Sequence, residues 1–457
     1  MLNEKITPQL EELLAAKNYR AIKALLNGLT PQDIALLLDG AEESDVSLLF
    51  RLLPKELAAE TFVEMDSDLQ RRLLRSFSDA ELRSVVAELF VDDVVDIIEE
   101  MPANVVKRIL ASADAETRAA VNEILHYPPD SAGSIMTTEY ISLSADMTVE
   151  DAFTRIRRVG VDKETIYTCY VTAPDRRLIG LVTVKTLLLS DKATAVGDIM
   201  ERNVISVRTD ADRELVAQEL GRYDFLAMPV TDAENRLVGI VTFDDAIDVI
   251  REEATEDIEK MAAITPTDKP YLKTGVFETF GKRIPWLCLL MISATFTGSI
   301  IAHFEDALAK AVILTAFIPM LMDTGGNSGS QACVTVIRGI SLDEIEFRDI
   351  FKVVWKEIRV AVLCGICLAI ACFGKIMLVD HMLLKSESVT TWVALVVSLS
   401  MAVTVFLAKL VGGTLPLLAK KLGFDPAVMA SPIITTIVDF LSLLVYFAFA
   451  TALLRIG

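Results

Sequence analysis

Soft metal ligands are nearly missing from this chain. Its three histidines, His126, His303 and His381, stand far apart in 457 residues, and its six cysteines form no disulfide framework. Five of the six, Cys288, Cys333, Cys364, Cys367 and Cys372, fall in the apolar C-terminal part, where a thiol behaves as a small hydrophobe. Cys364-Gly-Ile-Cys367 has CxxC spacing, but without a flanking cysteine or histidine it reads as packing, not as a redox or zinc site. Positive charge is also short: 44 Lys and Arg stand against 64 Asp and Glu, a formal net charge of −20. That excess repels phosphates and argues against nucleic acid as a partner. What remains for a cation is oxygen, the ligand of hard ions. A secretory signal pattern is missing too, since "MLNEKITPQLEELLAAKNYR" is charged and amphipathic from its start, which predicts a cytoplasmic N-terminus.

The chain has hydrophobic residues in abundance. They make up 52% of it and the mean hydropathy is +0.44, too apolar for an ordinary soluble protein and typical of an integral membrane protein. Charge is unevenly shared: residues 1–275 carry 51 acidic and 30 basic side chains, whereas 276–457 carry 13 and 14. A strongly acidic soluble front half is joined to a nearly neutral membrane half, and cations are the natural counter-charge of the first.

Residues 1–130 read as short amphipathic helices forming a superhelix or bundle, an interaction or regulatory module. Thr30 is placed as an N-cap with Pro31 at the first helical position, and Ser78 with Glu81 makes a capping box. "HYPPDSAG", 126–133, ends that pattern. An internal repeat follows over 131–195 and 196–250. "SIMTTEYISLSADMTVEDAF" (134–153) aligns with "DIMERNVISVRTDADRELVA" (198–217), and "YVTAPDRRLIGLVTVKTLL" (170–188) aligns with "PVTDAENRLVGIVTFDDAI" (229–247). Each copy reads strand, helix, strand, strand, helix. The duplicated RLhGhVT run, where h is an apolar residue, resembles a tandem pair of CBS domains.

The segment 244–270 is a connecting helix in which positions 245, 248, 252, 256 and 259 put carboxylates along one face. Such a face attracts a cation or is simply solvated. Beyond it, 271–457 contains five apolar stretches, 284–303, 307–337, 355–379, 391–418 and 427–454, each long enough to span a bilayer. Lys269, Lys273, Lys282 and Arg283, then Arg338, Arg348, Lys352, Lys356 and Arg359, then Lys420 and Lys421, fall on one side, which predicts N-terminus in and C-terminus out.

Two features of the membrane half point to chemistry. The second stretch carries Pro319, Asp323, Gly325, Gly326, Asn327, Ser328, Gly329 and Gln331 within one run, and the fifth carries Asp439 in its middle. A carboxylate at bilayer depth costs at least ~2.5–3.5 kcal/mol, so it faces a partner, a cavity or an ion path. Close-packed small residues serve helix packing, a water-filled path, or both. "LMDTG" also matches the aspartic-protease pattern, and Asp439 offers a second carboxylate. Against an intramembrane protease stand the helical setting of the motif and the regulatory repeats, which a protease does not explain.

The order of modules, with "GGNSGSQA" in the second stretch and "DPAVMASPIITTIVD" leading into the fifth, closely resembles the MgtE family of magnesium channels over essentially the whole chain. The resemblance implies a multidomain protein: an all-α N-terminal superhelix, an α/β tandem CBS pair, a plug helix and an all-α transmembrane domain of five helices. It implies a homodimer in the bacterial plasma membrane, with a magnesium-selective pore between subunits that intracellular magnesium closes. Asp439 matches the pore carboxylate, and Gly325, Gly326 and Asn327 match the segment facing it. Asp245, Asp248, Glu253, Glu256 and Asp257, with Glu214 and Asp224 in the second CBS copy and Asp92 and Asp96 in the N-terminal domain, match magnesium-sensing positions. Adenine nucleotide binds the CBS pair of many members, helped by an acidic residue three after the GLVT threonine. Here Thr186 stands at that place in the first copy and Asp245 in the second, which leaves nucleotide an open expectation. A pore for cobalt, zinc or nickel is the main rival. The role of Asp323 is left open, and Asp323→Asn is expected to do less than Asp439→Asn.

Overall fold

The structure is a computed structural model that describes residues 2–267, 269–386 and 388–454. The chain divides into two compact units, Met1–Ile250 and Arg251–Gly457.

In the first unit, short helices run from Leu2–Ala15 to Ala115–Ile124. Their ends follow the sequence signals. The Thr30 hydroxyl accepts from the Asp33 N–H ahead of Pro31, and Ser78 and Glu81 complete a reciprocal capping box. Leu and Val repeated at three and four positions turn one face of each helix inward, giving a shared core that includes Leu38, Phe62, Leu73 and Val94.

Each repeat then builds a three-stranded sheet. In the first, β1 (Ile141–Leu143) pairs parallel with β2 (Thr168–Thr172), which pairs antiparallel with β3 (Leu178–Thr183). In the second, β4 (Val207–Arg208), β5 (Ala227–Thr231) and β6 (Leu237–Thr242) repeat that order. The copies are stitched reciprocally. Leu181 and Glu201 exchange backbone hydrogen bonds of 3.0 and 2.9 Å, and Thr137 and Ile240 exchange bonds of 2.8 and 2.9 Å. A Cβ on Gly180 would meet Met200 Sδ at 2.6 Å, and one on Gly239 would meet Met136 Sδ at 2.6 Å. The repeated methionine and glycine are therefore the two halves of one exchanged contact, each glycine admitting the other copy's thioether.

In the second unit, four helical segments among the described residues are long and apolar enough to cross a membrane: Val276–His303, Phe347–Leu383, Thr391–Lys421 and Pro426–Leu454. The stretch expected over 307–337 is organised differently. It breaks into a short helix, Glu305–Lys310, a 3-10 turn, Val312–Phe317, and a 24-residue helix, Ile318–Ser341, hereafter the glycine helix. Pro319 explains the new start, because proline costs little in a first turn and breaks a helix interior. The glycine helix is too polar to pass on composition, although 24 residues rise ~36 Å, enough for a ~30 Å hydrocarbon layer. It packs against Thr391–Lys421 and against Ser431–Leu454, the aspartate helix. The helix runs unbroken through its glycines, which act by letting neighbours close in. A Cβ on Gly325 would meet Thr404 Cγ2 at 2.6 Å and one on Gly326 would meet Thr435 Cγ2 at 2.9 Å.

Candidate ion path and cation-sensing clusters

The glycine helix and the aspartate helix enclose a cavity of about 440 Å³, open on one side, lined by Ile318, Pro319, Met322, Asp323, Gly326, Asn327, Thr435 and Asp439. Helical spacing assembles it: Asp323 and Asn327 are four apart, as are Thr435 and Asp439, so each pair shares a face. The Asn327 amide donates to Asp323 Oδ1 at 3.1 Å. Of the sequence-expected path residues, Asp439, Gly326 and Asn327 line this groove, while Gly325 is buried behind it against Thr404, Ser442 and Val438. Beside the apolar Ile318, Pro319 and Met322, the lining offers carboxylate, amide and hydroxyl groups that can replace part of an ion's hydration without stripping it.

A second assembly lies in the first unit. Helix Val91–Glu100 begins on Phe90, which supplies no side-chain cap; instead the Val91 N–H donates to Glu139 Oε2 at 3.1 Å. Glu139 also accepts from Thr137 Oγ1 at 2.9 Å, and its carbonyl accepts from the Glu164 N–H at 3.0 Å. The carboxylates of Asp92, Asp93, Glu139, Glu164 and Asp245 thus act on one another. Burial, then repulsion from Asp245 and Asp93, pushes Asp92 well above the ordinary carboxylate range. Burial and Asp245 raise Asp93 to about 7, and burial and Asp93 raise Glu164 to about 8. Asp245 reaches about 6, with burial outweighing the hydrogen bond of 2.5 Å that Thr242 Oγ1 donates to it. Asp92 Oδ1 and Glu164 Oε2 are buried without a hydrogen-bond partner. Buried carboxyl oxygens facing other carboxyls hold protons unless a cation replaces them, although no three His, Cys, Asp or Glu side chains among the described residues converge in ligating geometry.

The remaining sensing candidates are dispersed. Asp96 is exposed one turn beyond Asp92, and Glu214 and Asp224 sit at opposite ends of helix Arg213–Tyr223, Asp224 as its left-handed C-cap. Glu214 Oε1 accepts from Gln218 Nε2 at 3.0 Å. On the connecting helix, Phe243–Met261, the expected acidic face is divided: Asp245 turns into the first unit's cluster, Asp248 is exposed, and Glu253, Glu256 and Asp257 are half-buried. In the second unit Lys260 Nζ bridges Glu256 at 2.5 Å and Asp425 at 2.6 Å, and Ser341 Oγ donates to Asp257 Oδ2 at 3.1 Å. Burial, with Ser341 opposing and Asp425 adding to it, raises Asp257.

Comparison with known proteins decides the family. A magnesium transporter MgtE of Thermus thermophilus is 36% identical over 458 residues, spanning 99% of this chain and 100% of the relative. The chain belongs to the MgtE family. A Bacillus subtilis MgtE is 33% identical over 97% of this chain and 96% of its own. Family models match in series: the MgtE intracellular N domain at 29–130, CBS domains at 132–191 and 196–252, and the MgtE divalent cation transporter at 318–449. The crystal structure of the cytosolic domain of the Mg2+ channel MgtE in complex with ATP is 37% identical, with TM-score 0.51 over 53% of this chain and 99% of that one. That of the soluble part of a magnesium transporter is 32% identical, with TM-score 0.52 over 55% and 99%. Within the MgtE framework, sequence reasoning missed Asp93, Glu139, Glu164 and Lys260. Glu139 and Glu164 lie 47 and 72 positions from Asp92 in separate loops of the first CBS copy, so no spacing rule could pair them with it. In the sequence Lys260 is one of two cations, with Arg251, in an acidic run.

Proposed function

We propose that this chain is a magnesium channel of the bacterial plasma membrane, working as a homodimer, whose ion path runs along the groove bearing Asp439, Gly326 and Asn327 with Gly325 behind it. The observation that carries this reading is a carboxylate in an apolar helix opening onto a cavity that also holds Asp323, Asn327 and Thr435. Magnesium prefers six oxygens near ~2.1 Å and gives up water reluctantly, so a path of few carboxylates and retained waters suits it. Conduction needs such weak holding. Two copies about a dimer axis would place two Asp439 side chains around one hydrated ion. In this reading 271–457 crosses the bilayer five times, the glycine helix being the second span, with the C-terminus outside. Residues 1–130 form the regulatory helical domain, 131–195 and 196–250 the CBS copies, and 244–270 the plug.

Intracellular magnesium closes the path by neutralising carboxylates. Asp92, Asp245 and their neighbours Asp93, Glu139 and Glu164 form one sensing cluster, Glu253, Glu256 and Asp257 act at the membrane end of the plug, and Asp96, Asp248, Glu214 and Asp224 supply outlying ligands. Adenine nucleotide, bound in the related cytosolic structure, would occupy the CBS pair. In the first copy Thr186 is engaged with Thr183, Oγ1 to Oγ1 at 3.0 Å, and in the second Asp245 is held by Thr242, which argues for one nucleotide-competent copy at most.

The test is magnesium flux into proteoliposomes with cobalt, nickel and zinc as competitors. Asp439→Asn keeps shape and removes charge, so flux should fall at least tenfold, the size of a lost charged contact, while the protein still folds and dimerises. Wild-type flux in that variant would remove the pore assignment.

A further inference from the structure

The groove holds a carboxylate beyond the one assigned to the ion. Asp323 lies on the same cavity wall as Asn327 and Gly326, opposite Thr435 and Asp439, and is close enough to Asp439 for the two charges to interact. Its hydrogen bond is the one from Asn327, and no basic side chain among the described residues pairs with it. An exposed carboxylate on a helix packed between membrane helices is costly unless it meets water, a cation or a partner, and an open groove can admit the first two. Its geometry also fixes its neighbour. Because the Asn327 NH2 donates to Asp323, its amide oxygen is the acceptor it can offer to a cation in the groove.

We infer that Asp323 is a specificity-determining residue of the ion path, forming with Asp439 a two-carboxylate subsite for a hydrated divalent cation and turning the Asn327 oxygen towards it. This rests on the pore reading above. Two carboxylates per chain favour a doubly charged ion over sodium or potassium, because attraction scales with ion charge. Their separation on two helices leaves room for the ion's waters. Asp439 sets whether the ion binds at all. Asp323 sets how strongly divalent ions are preferred.

Asp323→Asn and Asp323→Ala separate its two roles, since Asn keeps an acceptor for the Asn327 amide and loses the charge. In full-length protein in proteoliposomes, Asp323→Asn should raise the half-saturating magnesium concentration roughly tenfold and admit sodium. Asp323→Ala should add a further loss, and Asp323→Glu should restore the preference for magnesium. Wild-type affinity and selectivity in Asp323→Asn, with flux still lost in Asp439→Asn, would overturn this inference and leave the pore reading standing. Wild-type behaviour of both would overturn the pore reading itself. Should Asp323→Asn fail to fold, Asp323→Cys in a chain carrying Cys288→Ser and Cys367→Ser gives a second readout. A cationic methanethiosulfonate should modify the new thiol, magnesium should slow the reaction, and modification indifferent to magnesium would refute the subsite.

Discussion

Single carboxylates in this protein differ more in setting than in chemistry. Asp439 and Asp92 are the same side chain, one opening on a groove and one sealed among like charges. In the sealed cluster protons are the substitute for a cation. Asp245 at about 6, Asp93 at about 7 and Glu164 at about 8 are all raised above their ordinary values near 4. A raised folded-state value stabilises the closed cluster fully below about pH 4. That contribution is lost as pH climbs through the raised values. Chelator-treated protein should therefore melt at a lower temperature at pH 8.5 than at pH 5.5, and millimolar magnesium should restore the melting point at pH 8.5. A metal-free melting point that does not change with pH would show that these groups do not couple to folding. Glu164→Gln removes one repelling charge and, on the proposed reading, one cation ligand together. It should raise metal-free stability at pH 8.5 and reduce the stabilisation by magnesium by about 1–2 kcal/mol. Both are read from the same melts.

At the scale of elements, the connecting helix shows how one acidic run is put to two uses. Its Asp245 end is tied by Thr242 into the first unit, and its last turn is tied to the membrane half by Lys260. Burial lowers the ammonium's proton affinity, but the hydrogen bonds to Asp425 and Glu256 outweigh it, and its pKa is raised. Lys260 thus neutralises part of the acidic charge at this end, and Met261 beside it packs against the apolar cluster that includes Cys333, Ile337 and Ile434. Hydrogen bonds between charged groups contribute about 1.5–3 kcal/mol, so Lys260→Ala should free the last turn. Flux at low magnesium should rise and proteolysis near 255–275 should quicken. An unchanged cleavage rate would show that the apolar contacts alone hold this end. The glycine helix makes the complementary point: its small residues were legible as a cluster, yet only the contacts to Thr404, Thr435 and Val438 show that they serve close packing on one face and line a groove on the other.

For the whole molecule the governing quantity is the charge of the cytoplasmic half. Two like charges ~8 Å apart at an effective dielectric of ~20 repel by ~2 kcal/mol, so a few unneutralised pairs can hold modules apart. Magnesium shifts the balance only by its preference for the closed state, and several sites acting together make that response steep. Neutralising Asp248, Glu256 and Asp257 together should weaken inhibition of flux by magnesium. Protease protection of 255–275 should rise with magnesium in the wild type and much less in the triple variant. If neither flux nor protection responds to millimolar magnesium in the wild type, the acidic surface is only a solvated one.

The sequence by itself determined what depends on local order. Helix caps at Thr30 and Ser78, the strand pattern of both repeats, the apolar runs and the isolation of Asp439 follow from neighbours within a few residues. It also showed the repeat that pairs Met136 with Met200 and Gly180 with Gly239, but not that each methionine packs on the other copy's glycine. Only the tertiary structure decided that exchange, because the partners lie 20 residues apart in one direction and 103 in the other. The same limit hid Glu139 and Glu164 beside Asp92, and left Asp323 undecided until two helices placed it in one groove with Asp439. Side chains that act through space report themselves locally only when they are out of place. A carboxylate in an apolar helix is such a case, and a glutamate in a polar loop is not.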